Sequence, residues 1–496
     1  MLLVAAARLL TLPHGFWEEE ELRFAAALRT FDPAHGDPEA PGYPVYVALG
    51  RLVNVFARDP FVSLVALSVI ASIACAYFVA RFANPGAALV LLLSPAMLIF
   101  GPLPNAESTA LALIAAMFFF LDRRMPASFG AAAAAAIGCK PQLAPAVLAV
   151  VLIAVFVLPR RRMLIAFAVG VALFALDVRP FAFAPGPSVM RYLAHPWGTK
   201  FLSFPLLLLA FAGAVLALRK RRPLHVALAA FAIVHFAVAF LFLGATDGVQ
   251  PVLPALLPVA VFASLAIARW PLAPLALSLA YAAGSVLYVL PVLQARRAPS
   301  PPAAAAASIP RDAVVVLFDP PLTAHARAAG LRAFSIHRFG DFAATPARLF
   351  VLTEGRGERT FEWPDSDPYG KITTERFRVA SATEVPPARR FRPRAGVYQL
   401  ERTPAGEEWR WLAKDAVLDL PPVGATVTLR LALPPESPLE RNVVRVGDRS
   451  AEVARGASAE LTVPYAPRLV IRSERSFQAP GDPRDLAVQL RSVEQR

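Results

Sequence analysis

The chain has 496 residues, 56% of them hydrophobic, and a mean hydropathy of +0.51, more than one ordinary domain and too apolar for a purely soluble enzyme. Residues 1–295 hold 20 Lys/Arg and 12 Asp/Glu, about 11% charged, whereas residues 296–496 hold 30 and 24, about 27%, so a membrane part precedes a water-soluble part. The net charge of +14 does not call for nucleic acid, because much of the excess sits in short runs between apolar stretches, where the positive-inside rule accounts for it. The two cysteines, Cys75 and Cys139, lie far apart in apolar segments and support neither a disulfide framework nor a thiolate zinc site.

In chain order, apolar stretches fall at about residues 1–15, 60–80, 86–100, 107–121, 127–139, 142–158, 163–177, 201–218, 223–243, 250–268 and 271–293, predicting about 11 transmembrane helices. Several are shorter than the ~20 residues that cross a bilayer core, which implies tilted or broken helices lined by protein. Positive charge gathers at Arg81, at Arg123 and Arg124, at Arg160 to Arg162, at Arg219 to Arg222 and at Arg269, in alternate loops that should face the cytoplasm. The other loops, about 16–59, 101–106, 140–141, 178–200 and 244–249, are then expected outside, with the C-terminal part. A bacterial inner membrane with a periplasmic C-terminal region fits this pattern. The first stretch carries Arg8 and no small-x-small cleavage site, and reads as an anchored helix rather than a cleaved leader.

Residues 296–308, with their Pro-Ser-Pro-Pro and alanine run, read as a linker. Residues 309–394 read as a small α/β unit: a buried strand over 312–318, a short helix over 322–330 and a second strand over 349–353. Residues 395–496 read as an antiparallel β-sandwich, with strands near 397–400, 409–412, 416–420, 426–433, 442–446, 460–463, 468–471 and 486–490.

The first external loop carries four consecutive carboxylates, Glu18 to Glu21, where a helix meets the outer surface, followed by Pro41-Gly42-Tyr43-Pro44. Such a run reads as a solvated acidic rim, or as the place where one carboxylate near the membrane surface acts as a general base. Glu107, Lys140 in Lys140-Pro141-Gln142, Asp247 and Gln250 lie at other external helix ends. Each alone is an ordinary cap or loop residue; together they gather on one face. The loop 178–200 adds Arg179, Arg191, His195 and Lys200, either as phosphate or sugar contacts or as interfacial anchors. No His-x-x-x-His or His-Glu-x-x-His spacing occurs, so a divalent metal is unsupported although not required to be absent, and no cofactor is implied. In the soluble part, Trp409, Trp411, Phe361, Trp363 and Tyr369 read as core aromatics or as sugar-stacking platforms.

A short first helix, an acidic pair just outside it and Pro41-Gly42-Tyr43-Pro44 leading into the next helices resemble the GT-C superfamily of membrane glycosyltransferases. The resemblance is to the branch with protein O-mannosyltransferases and lipid A aminoarabinose transferases. It covers residues 1–295 in arrangement, with specific motifs only in 15–46. Glu20 and Glu21 stand at that branch's Asp-Glu pair, while Glu39-Ala40-Pro41 replaces its His-Pro-Pro portion. Lys140-Pro141-Gln142 is similar to a basic-Pro-Gln element of related polyprenol-dependent transferases, and Pro254 to Pro258 to a Leu-Pro-rich helix in which Gln250 stands where Arg is common.

The resemblance implies a sugar moved from a polyprenyl-phosphate donor to a protein or glycolipid acceptor outside the membrane, with inversion. It implies Glu20, then Glu21, as base; Lys140, Arg191 and Lys200 on the donor phosphate; and Tyr43, Glu107, His195, Asp247 and Gln250 around the substrates. Two other classes fit part of the pattern: a transporter or flippase of lipid-linked glycans, which would need polar residues at mid-membrane, and an inactive glycan-binding scaffold.

Overall fold

The structure is a computed structural model that describes residues 2–38, 42–175, 200–242, 250–268, 270, 272–318, 322–343, 345, 347–354, 380–403 and 407–496. Backbone contacts divide the described residues into two units, the first within residues 2–300 and the second within residues 301–354 and 380–496.

The first unit is helical: α1 Leu2–Leu10, α2 Glu19–Ala27, α3 Pro44–Ala57, α4 Pro60–Phe82, α5 Pro85–Leu92, α6 Pro95–Phe100, α7 Glu107–Asp122, α8 Pro126–Cys139, α9 Ala144–Ala154, α10 Arg160–Ala175, α11 Lys200–Arg219, α12 Pro223–Phe242, α13 Leu256–Ile267 and α14 Ala273–Ala295. Proline opens α3, α4, α5, α6 and α8, where its missing N–H has no partner to lose. Asp59 caps α4, accepting from the N–H of Val62 at 2.9 Å, and Asn84 caps α5, accepting from Ala87 at 2.9 Å.

Small residues let these helices approach closely. A Cβ on Gly130 of α8 would lie 2.3 Å from the Met163 carbonyl oxygen of α10, and one on Gly213 of α11 would lie 1.8 Å from that of Phe262 on α13. Around this packing, large apolar side chains face outward on many helices, among them Phe56, Ile70, Leu152, Phe156, Leu173, Phe211 and Ile233. Water disfavours so much exposed apolar surface, and lipid accommodates it.

Each of the eleven apolar stretches lies on a helix or a broken helix, but their use as spans is a separate matter. Among the described residues one helix, α4, has both the length and the hydropathy to cross a bilayer unaided. The stretch at 86–100 is broken between α5 and α6, where Ser94 caps the second helix and Pro95 begins it. The stretch at 250–268 opens as a 3-10 turn, Gln250–Ala255, containing Pro254. The loop expected over 16–59 instead contains α2 and α3, and the Pro41-Gly42-Tyr43-Pro44 stretch read as leading into the next helices opens α3 within it.

The second unit begins with α15 Pro301–Ala307, so the expected linker is partly a helix, whose Ala305 and Ala306 are buried in the α/β core. Strands β1 Val314–Leu317, β2 Arg332–Ser335, β3 Leu349–Glu354 and β4 Ala380–Glu384 form one sheet in the order β2-β1-β3-β4. In it β1 runs parallel to β2 and β3, and β4 is antiparallel to β3. Helix α16 Leu322–Ala328 covers one face, and α17 Phe339–Phe342 lies on the other.

A sandwich of two five-stranded antiparallel sheets follows, built from β5 Arg392–Pro393, β6 Val397–Arg402, β7 Glu408–Leu412, β8 Asp415–Asp419, β9 Thr426–Ala432, β10 Arg441–Val446, β11 Arg449–Ala454, β12 Ser458–Pro464, β13 Arg468–Ser473 and β14 Val488–Gln495. The orders are β11-β10-β13-β8-β5 and β12-β9-β14-β7-β6. Alternation shows directly in β13, where Leu469, Ile471 and Ser473 are buried and their neighbours exposed. The overlooked strand β11 is polar and charged; it pairs with β10 through a tight turn at Gly447-Asp448.

Candidate functional site

The site is assembled around residues 15–46. Helix α2 starts at the N-cap Glu18, and Glu21, three residues on, turns back so that its Oε2 accepts from the backbone N–H groups of Trp17 at 2.7 Å and Glu18 at 3.3 Å. Glu21 is 1% exposed, and its negative charge sits at the positive end of the helix. Glu19 pairs with Arg23, whose Nε donates to its Oε1 at 2.7 Å. The Glu19 and Glu21 carboxylates therefore have local structural work. Glu20 is half-buried on the same turn.

Helix α2 is fixed on α3. Phe24 is fully buried and meets the rings of Tyr43 and Tyr46 edge-on, at centroid distances of 5.2 and 4.7 Å. Arg51 of α3 donates from Nε to the Leu28 carbonyl at 3.1 Å and from Nη2 to that of Ala27 at 2.9 Å, satisfying carbonyls at the end of α2.

The Gly42-Tyr43-Pro44 portion has a clear backbone reason. Gly42 has φ +111° and Tyr43 φ +52°, and Pro44 then opens α3. This turn presents the Tyr43 hydroxyl to Gln142, whose Nε2 donates to it at 2.8 Å across 99 positions of sequence. The Oε1 of Gln142 is buried without a hydrogen-bond partner among the described residues.

Lys140-Pro141-Gln142 is the junction of this arrangement. A residue before proline is pushed out of the helical region, and Lys140 accordingly ends α8 at φ −145°, ψ 90°. Its ammonium pairs with the Glu107 carboxylate at the start of α7, and the two residues are 8% and 6% exposed. Lys140, extended, thus reaches α7, and the 3-10 turn Pro141–Leu143 that follows reaches the start of α3 through Gln142. Asn105 steadies the beginning of α7, its Oδ1 accepting from the Glu107 N–H at 3.2 Å. Tyr46, fully buried, lies within electrostatic reach of Glu20, Glu21 and Cys139, the residue beside Lys140.

Behind Glu107 runs a buried polar chain that sequence reasoning missed. Arg8 donates from Nε to Ser72 Oγ at 3.0 Å and from Nη2 to the Leu92 carbonyl at 3.1 Å. Ser72 meets Ser108 Oγ at 3.3 Å, and Ser108 donates to the Gly101 carbonyl at 2.7 Å. A cation inside an apolar first helix was the available signal, since such a charge needs partners.

Glu20, Glu21, Tyr43, Glu107 and Lys140 therefore belong to one connected region. Arg179, Arg191, His195 and Asp247 lie outside the described residues. Lys200 opens α11 and Gln250 opens the 3-10 turn before α13, with backbone alone described at each. In the second unit, Trp411 meets Phe477 edge-on at 5.8 Å and Trp409 lies beneath the Arg491 guanidinium, while Phe361, Trp363 and Tyr369 lie outside the described residues. Among the described residues no three His, Cys, Asp or Glu side chains converge as a metal site would require.

No family model and no curated protein matches the chain. Among solved structures it is similar to ArnT from Cupriavidus metallidurans bound to undecaprenyl phosphate, at 14% identity and a TM-score of 0.47 over 71% of this chain and 91% of that one. The apo state of the same protein gives 11% identity and 0.47 over 77% and 97%. The Archaeoglobus fulgidus oligosaccharyltransferase, in complex with Zn and sulfate, gives 10% identity and 0.46 over 99% and 96%.

Proposed function

We propose that the chain is a membrane glycosyltransferase that moves a sugar from a polyprenyl-phosphate donor to an acceptor hydroxyl at the outer membrane face, its second unit lying outside. The observation that carries this reading is the Lys140-Pro141-Gln142 junction. It holds a buried cation beside Glu107 and reaches the Tyr43 turn, with Glu20 on the adjoining helix.

The chemistry needs two kinds of group. As the acceptor oxygen attacks the anomeric carbon, a base takes its proton, and Glu20 is the carboxylate assigned that task. Glu21 is committed to the backbone of Trp17 and Glu18 and positions the helix. As the sugar–phosphate bond breaks, its electron pair passes to the phosphate oxygen, whose growing charge Lys140 offsets. Glu107 holds the Lys140 ammonium in place and itself keeps the pair neutral, so additional cations are expected near the phosphate, with Arg191 and Lys200 as the assigned ones. Displacement by a single base gives inversion. Outward apolar side chains on the first unit support a lipid surrounding, from which a polyprenyl donor would enter.

The test is transfer from a defined lipid-linked sugar by full-length variants that insert normally. Glu20→Gln keeps shape and hydrogen bonding but cannot take the proton, and it should lower the rate ~10²- to 10⁴-fold. Glu18→Gln should have little effect. Retention of more than half of the wild-type rate by Glu20→Gln would remove Glu20 as the base.

A further inference from the structure

In the first unit, helices α8 and α10 lie side by side and run in the same direction. A Cβ on Gly130 would meet the Met163 carbonyl oxygen at 2.3 Å, and one on Gly170 would meet the Ala134 Cβ at 2.5 Å, so the two backbones almost touch at two levels. Where backbones come this close and the flanking side chains are small, a furrow remains along the seam. One opens here, of about 640 Å³, with Ala127, Ala131 and Ala135 as one wall and Ile165, Val169 and Leu173 as the other. The three α10 side chains are each more than half exposed, an arrangement that water disfavours and hydrocarbon accepts. From Arg162 to Leu173 the furrow follows about three turns of helix, ~16 Å at 1.5 Å per residue, close to one leaflet's half of a ~30 Å hydrocarbon core.

One end of the furrow is basic. Arg162 lines it there, Arg160 and Arg161 precede it on α10, and Arg123 and Arg124 stand just before α8, with Asp122 the one carboxylate in these two loops. Arg160 donates from Nε to the Val155 carbonyl at 3.1 Å, which ties it to its own loop. Arg162 is exposed and pairs with no carboxylate among the described residues. The opposite end, at Ala135, Gly170 and Leu173, is apolar.

A groove as long as one leaflet is deep, apolar along its walls and basic at one end, matches a phospholipid with an anionic headgroup in both shape and charge. We infer that the furrow between α8 and α10 binds an anionic phospholipid, one acyl chain lying along the alanine wall and the phosphate resting on Arg162. Lipid tails elsewhere are as apolar as these walls, so the furrow fixes where the chain lies and the arginine supplies the preference for an anion. A second copy of this chain, inserted in the same orientation, would bring its own basic loops to the same level and be repelled there. The inference rests on the lipid surrounding of the first unit and is independent of the transfer chemistry proposed above.

Photolabelling of the full chain in phosphatidylcholine vesicles tests this, with phosphatidylglycerol carrying a diazirine in one acyl chain compared against phosphatidylcholine carrying the same labelled chain. Peptides covering residues 127–135 and 162–173 should be labelled ~5-fold more by phosphatidylglycerol, the factor that one arginine at a membrane surface supplies. Arg162→Gln should bring the two lipids close to equal, whereas Arg222→Gln, in another basic loop, should leave the excess unchanged. Ala131→Phe fills the furrow from an exposed position and should also remove the excess, with a melting temperature like that of wild type. Equal labelling of the wild type by the two lipids, an undiminished excess in Arg162→Gln or in Ala131→Phe, or efficient disulfide cross-linking of Ala131→Cys to a second copy would overturn the assignment.

Discussion

Replacing Glu107 by Gln strands the Lys140 ammonium in a site where both residues are less than a tenth exposed. Removing one partner of a buried ion pair costs ~3–5 kcal/mol, because the remaining charge is neither solvated nor paired. Lys140 keeps slight access to the surface, 10% for its side chain, so the lower end, about 3 kcal/mol, applies. An unfolding entropy of ~2.1 cal/mol/K per residue over a unit of roughly 300 residues makes this a fall of about 5 °C in its melting temperature. Lys140→Met should cost a similar amount by stranding Glu107. The double variant Glu107→Gln/Lys140→Met strands nothing and should melt within ~2 °C of wild type, because neutral replacement of a buried pair is often nearly free. Thermal melting in nanodiscs reads all three, and transfer activity separates structure from chemistry: the double variant should be stable yet inactive. A Glu107→Gln protein that melts with wild type, or a double variant whose loss is the sum of the two singles, would refute the reasoning.

Two further outcomes follow from particular residues. Gly42→Ala forces a side chain onto φ +111° just ahead of the Tyr43–Gln142 hydrogen bond, which should cost ~1–3 kcal/mol and lower the melting temperature by a few degrees. Tyr43→Phe, which loses only that bond, should cost ~1 kcal/mol, so an equal fall in the two variants would argue against backbone strain at Gly42. His325 on α16 is buried and its imidazole is pushed down to about 4, against an ordinary value near 6.5. The unfolded chain therefore takes up a proton that the folded one resists. Stability is complete above about pH 6.5 and is lost as the pH falls towards 4, by a total on the order of 3 kcal/mol. Hydrogen-exchange protection of β1, corrected for intrinsic rates, should fall across that window in wild type and much less in His325→Phe.

The candidate site was legible in part. Glu107 and Lys140 were recognisable as polar residues at apolar helix ends, and Gly42-Tyr43-Pro44 as a turn into a helix. The division of labour among Glu18 to Glu21 was not legible, because a run of like residues has no internal order until a helix start distinguishes them. Once α2 begins after Glu18, its capping geometry takes Glu21 and the i,i+4 spacing gives Glu19 to Arg23. The polar chain from Arg8 to Ser108 escaped notice because serines in an apolar helix are unremarkable until they face a cation.

Hydropathy and alternation by themselves determined where most helices and most strands form, because those patterns act over the length of one element. They separated an apolar helical part from a charged β-rich part for the same reason. Pairing required the tertiary structure. Glu107 and Lys140 are 33 positions apart, Tyr43 and Gln142 are 99 apart, and no local period relates either pair. Only packing decided that Lys140 would be buried beside a carboxylate and that the supposed linker would bury Ala305 and Ala306. The physical reason is that burial, which sets the cost of a charge or an unpaired donor, belongs to the assembled molecule and not to any one segment.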